Sequence, residues 1–395
     1  MSRDDAASLV LTTLPLTAAY LLMNFSMLLW YSLFGKYLVV DLGFSGDELG
    51  TAIMLYNMFY AISALPSGKI SDLVDIRKVL ATGAAVYAMG ILMMSLTRSF
   101  WLLAMACAVT GLGEGIFFTS GTVYSVRRGG VSRVGLTYGI VFSSGLLGQV
   151  LGALTSGYVK EYFGAKAMFA ASSLLAASAL PLVLFLRDFQ APSRSRRSSI
   201  GLVELLREHR GFRILAIGLI FHSLGYNMIA PFFSVHAGEI GLADKEIGVV
   251  NFTWLLSMML TAFFWSMLAD RIKSKLILAS HIALSSLVWI SYAYSKNYVM
   301  LVQSAVALGL VGAMDMPARR KLVAELESGE GLGTMIGSLD LITMTFSIPA
   351  SIIGGVLYEW TNIPILFLAA SLVNFIGVPL VFEVGDRVRG SSSVD

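Results

Sequence analysis

Charge is scarce in this chain. Only 13% of its 395 residues are Asp, Glu, Lys or Arg, against about 25% in a soluble domain. Cysteine is nearly absent: Cys107 stands alone, so neither an internal disulfide nor a metal site of cysteine type can form. The net charge of +3 is spread over many short loops, which is no footprint for nucleic acid. No G-x-x-x-x-G-K-[ST] occurs, so ATP coupling is not expected. HExxH and a nucleophile elbow are also missing, and the sequence shows no clustered His/Asp set on adjacent spans. An enzyme is therefore not expected, nor a cofactor or bound metal. The N-terminus, MSRDDAAS, runs into an apolar segment without a small-residue cleavage site. It reads as the lead into a first membrane span, not as a signal peptide.

Apolar residues are abundant, at 56%, and the mean hydropathy is +0.76. A spanning helix needs about 20 mostly apolar residues. By that rule the chain holds twelve spans: 12–34, 48–67, 79–98, 100–124, 134–158, 165–186, 212–235, 246–268, 276–295, 298–318, 332–357 and 362–384. The connections are short except Arg187–Arg213, which is rich in Ser and Arg. Within it, Ile200–Leu206 reads as a short amphipathic helix on the membrane surface. Twelve spans put both termini on one side. That side carries 22 of the 28 lysines and arginines, which marks it as cytoplasmic. The expectation is a multi-pass protein of the cell membrane, surrounded by lipid and acting as a monomer.

A repeat organises the spans. Asp72 and Asp270 lie 198 residues apart, and the same offset recurs along the chain without a gap. It relates Asp41 and Gly43 to Glu239 and Gly241, Glu48-Leu-Gly50 to Glu246-Ile-Gly248, and Gly135 and Gly139 to Gly333 and Gly337. Gly157 and Glu161 correspond to Gly355 and Glu359, and Pro181-Leu-Val183 to Pro379-Leu-Val381. Turn residues, loop charges and a proline triplet in one register mean a duplicated unit. The expected architecture is all-α: six helices over 12–188, a cytoplasmic linker over 189–209, and six more helices in parallel orientation over 210–386.

Two parallel six-helix halves resemble the major facilitator superfamily. The loop after the second span strengthens the likeness. The family pattern G-x-x-x-D-x-x-G-x-R-K is met by Gly68, Asp72, Arg77 and Lys78, with Asp75 at the second glycine position. The second copy keeps Asp270, Arg271 and Lys275. Gly148-Gln-Val-Leu-Gly152 is similar to the family's glycine-rich motif, with Gln149 where many exporters have proline. Gly111-Leu-Gly113 fits the fourth span, although Cys107 stands where many members carry arginine.

The resemblance implies a cytoplasmic gate built from Gly68, Asp72, Arg77, Asp270 and Lys275. A carboxylate there favours a helix N-terminus through the helix dipole. Asp72, braced by Arg77, would meet the helix start near Gly333–Thr334, and Asp270 the start near Gly135. The plainer reading is that these charges only fix topology.

Polar residues inside spans are functional candidates, because an ionised group at the bilayer centre costs about 2.5–3.5 kcal/mol on insertion scales. Glu114 sits among Cys107, Thr110, Gly111 and Gly121, and Asp340 lies on the stripe Gly333, Gly337, Thr343, Ser347, Ser351. Either carboxyl can carry a proton for coupling, or can simply lock helices together. Asp315 has Arg319 four residues on, which reads as an ion pair. Asn24 and His222 share the 198 offset and, by the resemblance, face each other across a central cavity. Histidine titrates in the physiological range. Asn57, Gln149, Asn227, Asn251 and Gln303 are further candidates for solute contact or for interhelical hydrogen bonds. The 19 methionines and 23 phenylalanines suit an adaptable apolar wall.

The functional expectation is a secondary transporter working by alternating access, exporting amphipathic small molecules in exchange for protons. The alternative is a facilitator or proton symporter for a small polar nutrient such as a sugar or organic acid. A membrane sensor on the same scaffold is disfavoured, since no soluble relay domain is present in the sequence.

Overall fold

The computed structural model describes residues 3–186, 202–326 and 332–385; the side chains of 3–12, 65, 72, 129–136, 202–203 and 332–334 lie outside that description. Among the described residues the chain is helical, with no strand. Eleven segments are long and apolar enough to cross a membrane. They are α1 (Thr13–Asp41), α2 (Gly46–Ser71), α3 (Ile76–Leu96), α4 (Phe100–Arg128), α5 (Thr137–Leu184), α6 (Arg210–Glu239), α7 (Asp244–Arg271), α8 (Ser274–Ala293), α9 (Tyr298–Leu326), α10 (Met335–Trp360) and α11 (Ile363–Glu383).

Eleven segments carry the twelve expected spans because α5 is two spans in one. Its 48 residues would reach about 72 Å as a straight helix at 1.5 Å per residue, more than twice a bilayer core of about 30 Å. Gly164 breaks it with φ +83°, a conformation that glycine adopts without a Cβ penalty. The partners along α1 record the reversal. Thr17, Asn24 and Ser32 bond in ascending order to Ser144, Gln149 and Ser156. Past Gly164 the order descends: Ser172 bonds Ser26, while Phe169 meets Phe34 and Tyr37. The first arm of α5 therefore runs parallel to α1, and the second arm returns antiparallel.

The 198-residue register is visible in local geometry as well as in sequence. Gly43 and Gly241 both take a positive φ, 74° and 86°, in the turn before the next span. The backbone N–H of Ser45 then donates to Glu48 at 2.9 Å, and that of Ala243 donates to Glu246 at 2.9 Å. Each glutamate thus satisfies an orphan amide at a helix start. Kinks fall at proline, as expected from its missing N–H: α6 breaks at Ala230–Pro231 and α10 at Ile348–Pro349. In α1 the last turn, Tyr37–Asp41, widens to a π-helix and carries Asp41 with it. A short helix, Leu202–Glu208, falls in the linker, and its Leu205 is buried in the core of the second half; residues 200 and 201 of the expected surface helix lie outside the described residues.

The two halves meet tightly at one end, where α1 stops and α2 starts. Gly50 faces the backbone of Ser351, while Gly248 faces that of Ala153 and Gly157. Gly355 lies against Gly46 and Asp47, and Gly157 against Asp244 and Lys245. These contacts obey the 198 offset, and a Cβ at any of the four glycines would strike backbone. Carboxylates reinforce the join. Glu359 accepts from the Gly46 amide that opens α2, and Glu161 accepts from the Lys245 amide at the start of α7 at 3.0 Å. Each places a negative charge on the positive end of a helix from the other half.

Candidate solute cavity

Behind that closed end lies a cavity of about 650 Å³ between the halves. Tyr20, Asn24, Tyr60, Glu114, Tyr138 and Gln149 line it from the first half, and Met258, Met316, Pro317 and Arg320 from the second. A smaller space of about 170 Å³ lies towards the closed end, walled by Tyr31, Tyr226, Phe233, Asn251 and Trp254. A third, of about 240 Å³, opens between α6, α8 and α9 around His222, His281 and Asp315. Apolar walls with a few convergent polar groups are the usual form of a small-molecule site.

Glu114 is buried on the cavity wall and accepts a hydrogen bond from the Tyr56 hydroxyl. Its small neighbours serve packing: Gly111 sits against the Tyr56 backbone, Gly121 against the Tyr20 ring, and Cys107 and Thr110 are fully buried. Asn24 and Gln149 are a bonded pair. Gln149 donates to Asn24 Oδ1 at 2.8 Å, and Asn24 Nδ2 is held by Tyr20 O at 2.9 Å. Gly145 allows the approach, since a Cβ there would lie 2.8 Å from Asn24 Nδ2. Asn251 bonds the Ser32 carbonyl at 3.1 Å and so joins α7 to α1. Asn227 lines the third space while bonding its own helix at Ser223. Asn57 is half-buried and lines none of these spaces.

Asp340 pairs with Arg320 at 2.8 Å, and only Arg320 is in the cavity wall. Arg320 lies just past the expected span 298–318, yet it brings a cation into the cavity, and its buried Nη1 has no partner among the described residues. Trp254 Nε1 is likewise buried without one. The Asp315–Arg319 ion pair is present at 2.6 Å. His222 does not share a space with Asn24. It lies beside His281 with Nε2 atoms 3.4 Å apart, and Asp315 completes the group. The expectation that no His/Asp set clusters on adjacent spans is thus corrected. These residues lie on α6, α8 and α9, far apart in sequence, and only packing brings them together.

Of the expected gate, the side chain of Asp72 and the helix starts near Gly135 and Gly333–Thr334 lie outside the described residues. Gly68 is half-buried with Thr119 as its near neighbour. Arg77 grips Asp75 through Nε and Nη2 at 2.8–3.1 Å. Asp75 also accepts from the Arg77 amide at 3.0 Å, capping α3. That explains an aspartate in place of the motif's second glycine. The Arg77 bonds hold its carboxyl below the usual carboxylate range. Asp270 is exposed at the end of α7, and Lys275 donates to Val384 O at 3.2 Å.

Sequence reading missed the charges that close the opposite end. Lys160 is buried and bridges Asp41 at 2.5 Å and Asp244 at 2.9 Å; Lys36 holds the same Asp244 oxygen at 2.5 Å. Lys245 adds a pair to Glu161 at 2.8 Å. Asp41 and Glu161 belong to the 198-residue repeat, whereas Lys36 and Lys160 fall in connections between the expected spans.

Comparison with known proteins agrees with this arrangement. Quinolone resistance protein NorA of Staphylococcus aureus is 28% identical over 177 residues, 45% of either chain. Multidrug resistance protein MdtG of Proteus mirabilis is 24% identical over 188 residues, 46% of either chain. Each match thus spans less than half the length of the curated relative. In structure the chain is similar to the nucleoside transporter NupG, with TM-score 0.81 at 14% identity, covering 94% of this chain and 99% of the other. A bacterial homologue of the lysosomal transporter Spinster gives TM-score 0.79 at 11% identity, covering 97% of both chains. The family model of the Major Facilitator Superfamily matches residues 16–213 and 215–393. A match that runs through both halves, on a fold shared end to end with solved transporters, means that the chain belongs to the Major Facilitator Superfamily.

Proposed function

We propose that this transporter exports an amphipathic small solute from the cytoplasm in exchange for protons. The carrying observation is a cavity between the halves, sealed at one end by backbone-close glycines and ion pairs, with the buried Glu114 on its wall. Such a cavity can accept solute from one side only, which is one half of an alternating-access cycle. The positive-inside count supports a sealed end that faces outward and termini that lie in the cytoplasm of a cell-membrane protein. The bodies 12–188 and 210–386 rock against each other, with 189–209 as their tether.

Glu114 and the Tyr56 hydroxyl form a unit able to hold or release a proton next to bound solute. Aromatic and methionine side chains supply an adaptable apolar surface. The unpartnered donors of Arg320 and Trp254 offer places for acceptors on the solute. The matches to drug-resistance proteins support this reading. Purified protein in liposomes tests it, using a quinolone and a lipophilic dye with and without an imposed pH gradient. Uphill movement that tracks the gradient is expected. Glu114→Gln and Asp340→Asn each abolish it and leave solute exchange partly intact. Full uphill activity in both variants refutes the coupling.

A second reading rests on the Asn24–Gln149 pair, which presents amide groups to the cavity. It is a facilitator or proton symporter for a small polar nutrient. Saturable uptake of a nucleoside or sugar in the same liposomes, with no quinolone movement, would favour it.

A further inference from the structure

The wall formed by α6, α8 and α9 holds side chains that the transport reading does not use. One ligand atom each of His222, His281 and Asp315 lies within 4.8 Å of the other two. Both histidines are buried, and their tautomers follow from their partners. His281 Nδ1 lies 2.8 Å from the Val311 carbonyl, which can only accept, so Nδ1 carries the hydrogen. His222 Nδ1 lies 2.8 Å from Asn374 Oδ1. The Asn374 amide is oriented by its own donations to Ile282 O and Ser286 Oγ, both at 2.9 Å. Its Oδ1 therefore accepts, and His222 Nδ1 donates as well. Each ring is left with a bare Nε2 lone pair, and the two face each other across 3.4 Å. Two buried acceptors opposed in this way have no donor between them, which is a costly arrangement in a low-dielectric site.

A cation removes the conflict. Two imidazole nitrogens about 2.05 Å from a tetrahedral zinc ion stand about 3.3 Å apart, close to the 3.4 Å found here. A hydrogen bond through a shared proton prefers a shorter span, about 3 Å. Asp315 supplies an oxygen ligand, and Arg319 holds its two oxygens at 3.0 and 2.6 Å, fixing the carboxylate in place. The Nδ1 donations to Val311 and Asn374 orient the rings in the same manner. All three ligand residues line the space of about 240 Å³, which gives an ion access and leaves room for a fourth ligand.

We propose that His222, His281 and Asp315 form a binding site for a transition-metal cation of the zinc class. Neutral imidazole nitrogens with one carboxylate are the ligand set that zinc and cobalt accept. The fourth position takes water or an anion, since Arg319 leaves the loaded site with excess positive charge.

Cobalt(II) titrated into the purified full-length protein in detergent tests the site. The expected result is an intense visible band of tetrahedral cobalt, saturating at one ion per chain and abolished by added zinc. His222→Gln and His281→Gln each weaken binding at least tenfold, and Asp315→Asn weakens it about threefold. His236→Gln, whose ring bonds Ser295 O away from the cluster, leaves it unchanged. The wild-type titration decides the matter even where a variant fails to fold. Absence of a saturable one-to-one band in the wild type overturns the proposal, and so does a band that survives loss of both histidines.

Discussion

Two ends of the same pair of helices behave in opposite ways. At the sealed end, Gly157 of α5 and Gly355 of α10 meet the backbone of α7 and α2. At the other end of those helices, Gly139 and Gly337 are exposed, with nothing within 4 Å of where a Cβ would sit. All four obey the 198-residue offset. Glycine costs roughly 0.5–1 kcal/mol against alanine within a helix. At Gly157 and Gly355 the close approach explains it. At Gly139 and Gly337 this conformation gives no steric reason for a missing Cβ. On the alternating-access reading proposed above, these glycines would meet backbone in a second conformation, in which the open end closes.

The largest effect expected from this contrast comes from wedging the sealed end. Gly50→Leu or Gly355→Leu drives a side chain into backbone, so transport should fall more than tenfold and the sealed end should open. Labelling of reporter cysteines placed there measures the opening, and Cys107 is buried and adds little background. Next is the charge cluster. Lys160→Ala leaves Asp41 and Asp244 short of a partner; because Asp41 is exposed and Lys36 still holds Asp244, the cost should be about 1–3 kcal/mol. Thermal unfolding in detergent reads the loss; an unchanged midpoint would mean that the cluster contributes little.

Gly139→Ala and Gly337→Ala should split stability from turnover. The unfolding midpoint stays level or rises, since alanine gains up to about 1 kcal/mol in a helix, while transport slows severalfold. Unimpaired transport in the double variant would break the comparison. Asp75→Ala should have the smallest effect, about 1 kcal/mol from the lost cap of α3. Because Arg77 lowers the Asp75 carboxyl, its contribution is full above the ordinary carboxylate value and fades as pH falls below about 4. A midpoint difference between Asp75→Ala and wild type that is as large at pH 3 as at pH 7 would argue against that account.

The architecture was legible because apolar runs and a fixed offset are one-dimensional signals. The Asp315–Arg319 pair was legible for the same reason, as an i,i+4 spacing. The break at Gly164 was expected as a connection between two spans, although a helical backbone on both sides hides it from a simple span count. The His222–His281–Asp315 group was not legible, because 59 residues separate the histidines and no offset relates them. The partners of Lys36 and Lys160 were not legible either, since a charge in a connection between spans looks the same in sequence whether it meets water or a partner. Arg320 was hidden likewise: only packing shows that it lines the cavity while its neighbour Lys321 bonds the Ala269 carbonyl.

The sealed end is symmetric in shape but not in glue. Lys160 with Asp41 corresponds, at the 198 offset, to Tyr358 with Glu239, joined at 2.5 Å. Across the halves, Lys160 and Lys36 hold Asp244 on one seam, whereas on the other Glu359 accepts from the Gly46 amide. Salt screens exposed charge pairs more than buried ones, so raising ionic strength should loosen Lys245–Glu161, whose lysine is 45% exposed, before the buried Lys160–Asp244 pair.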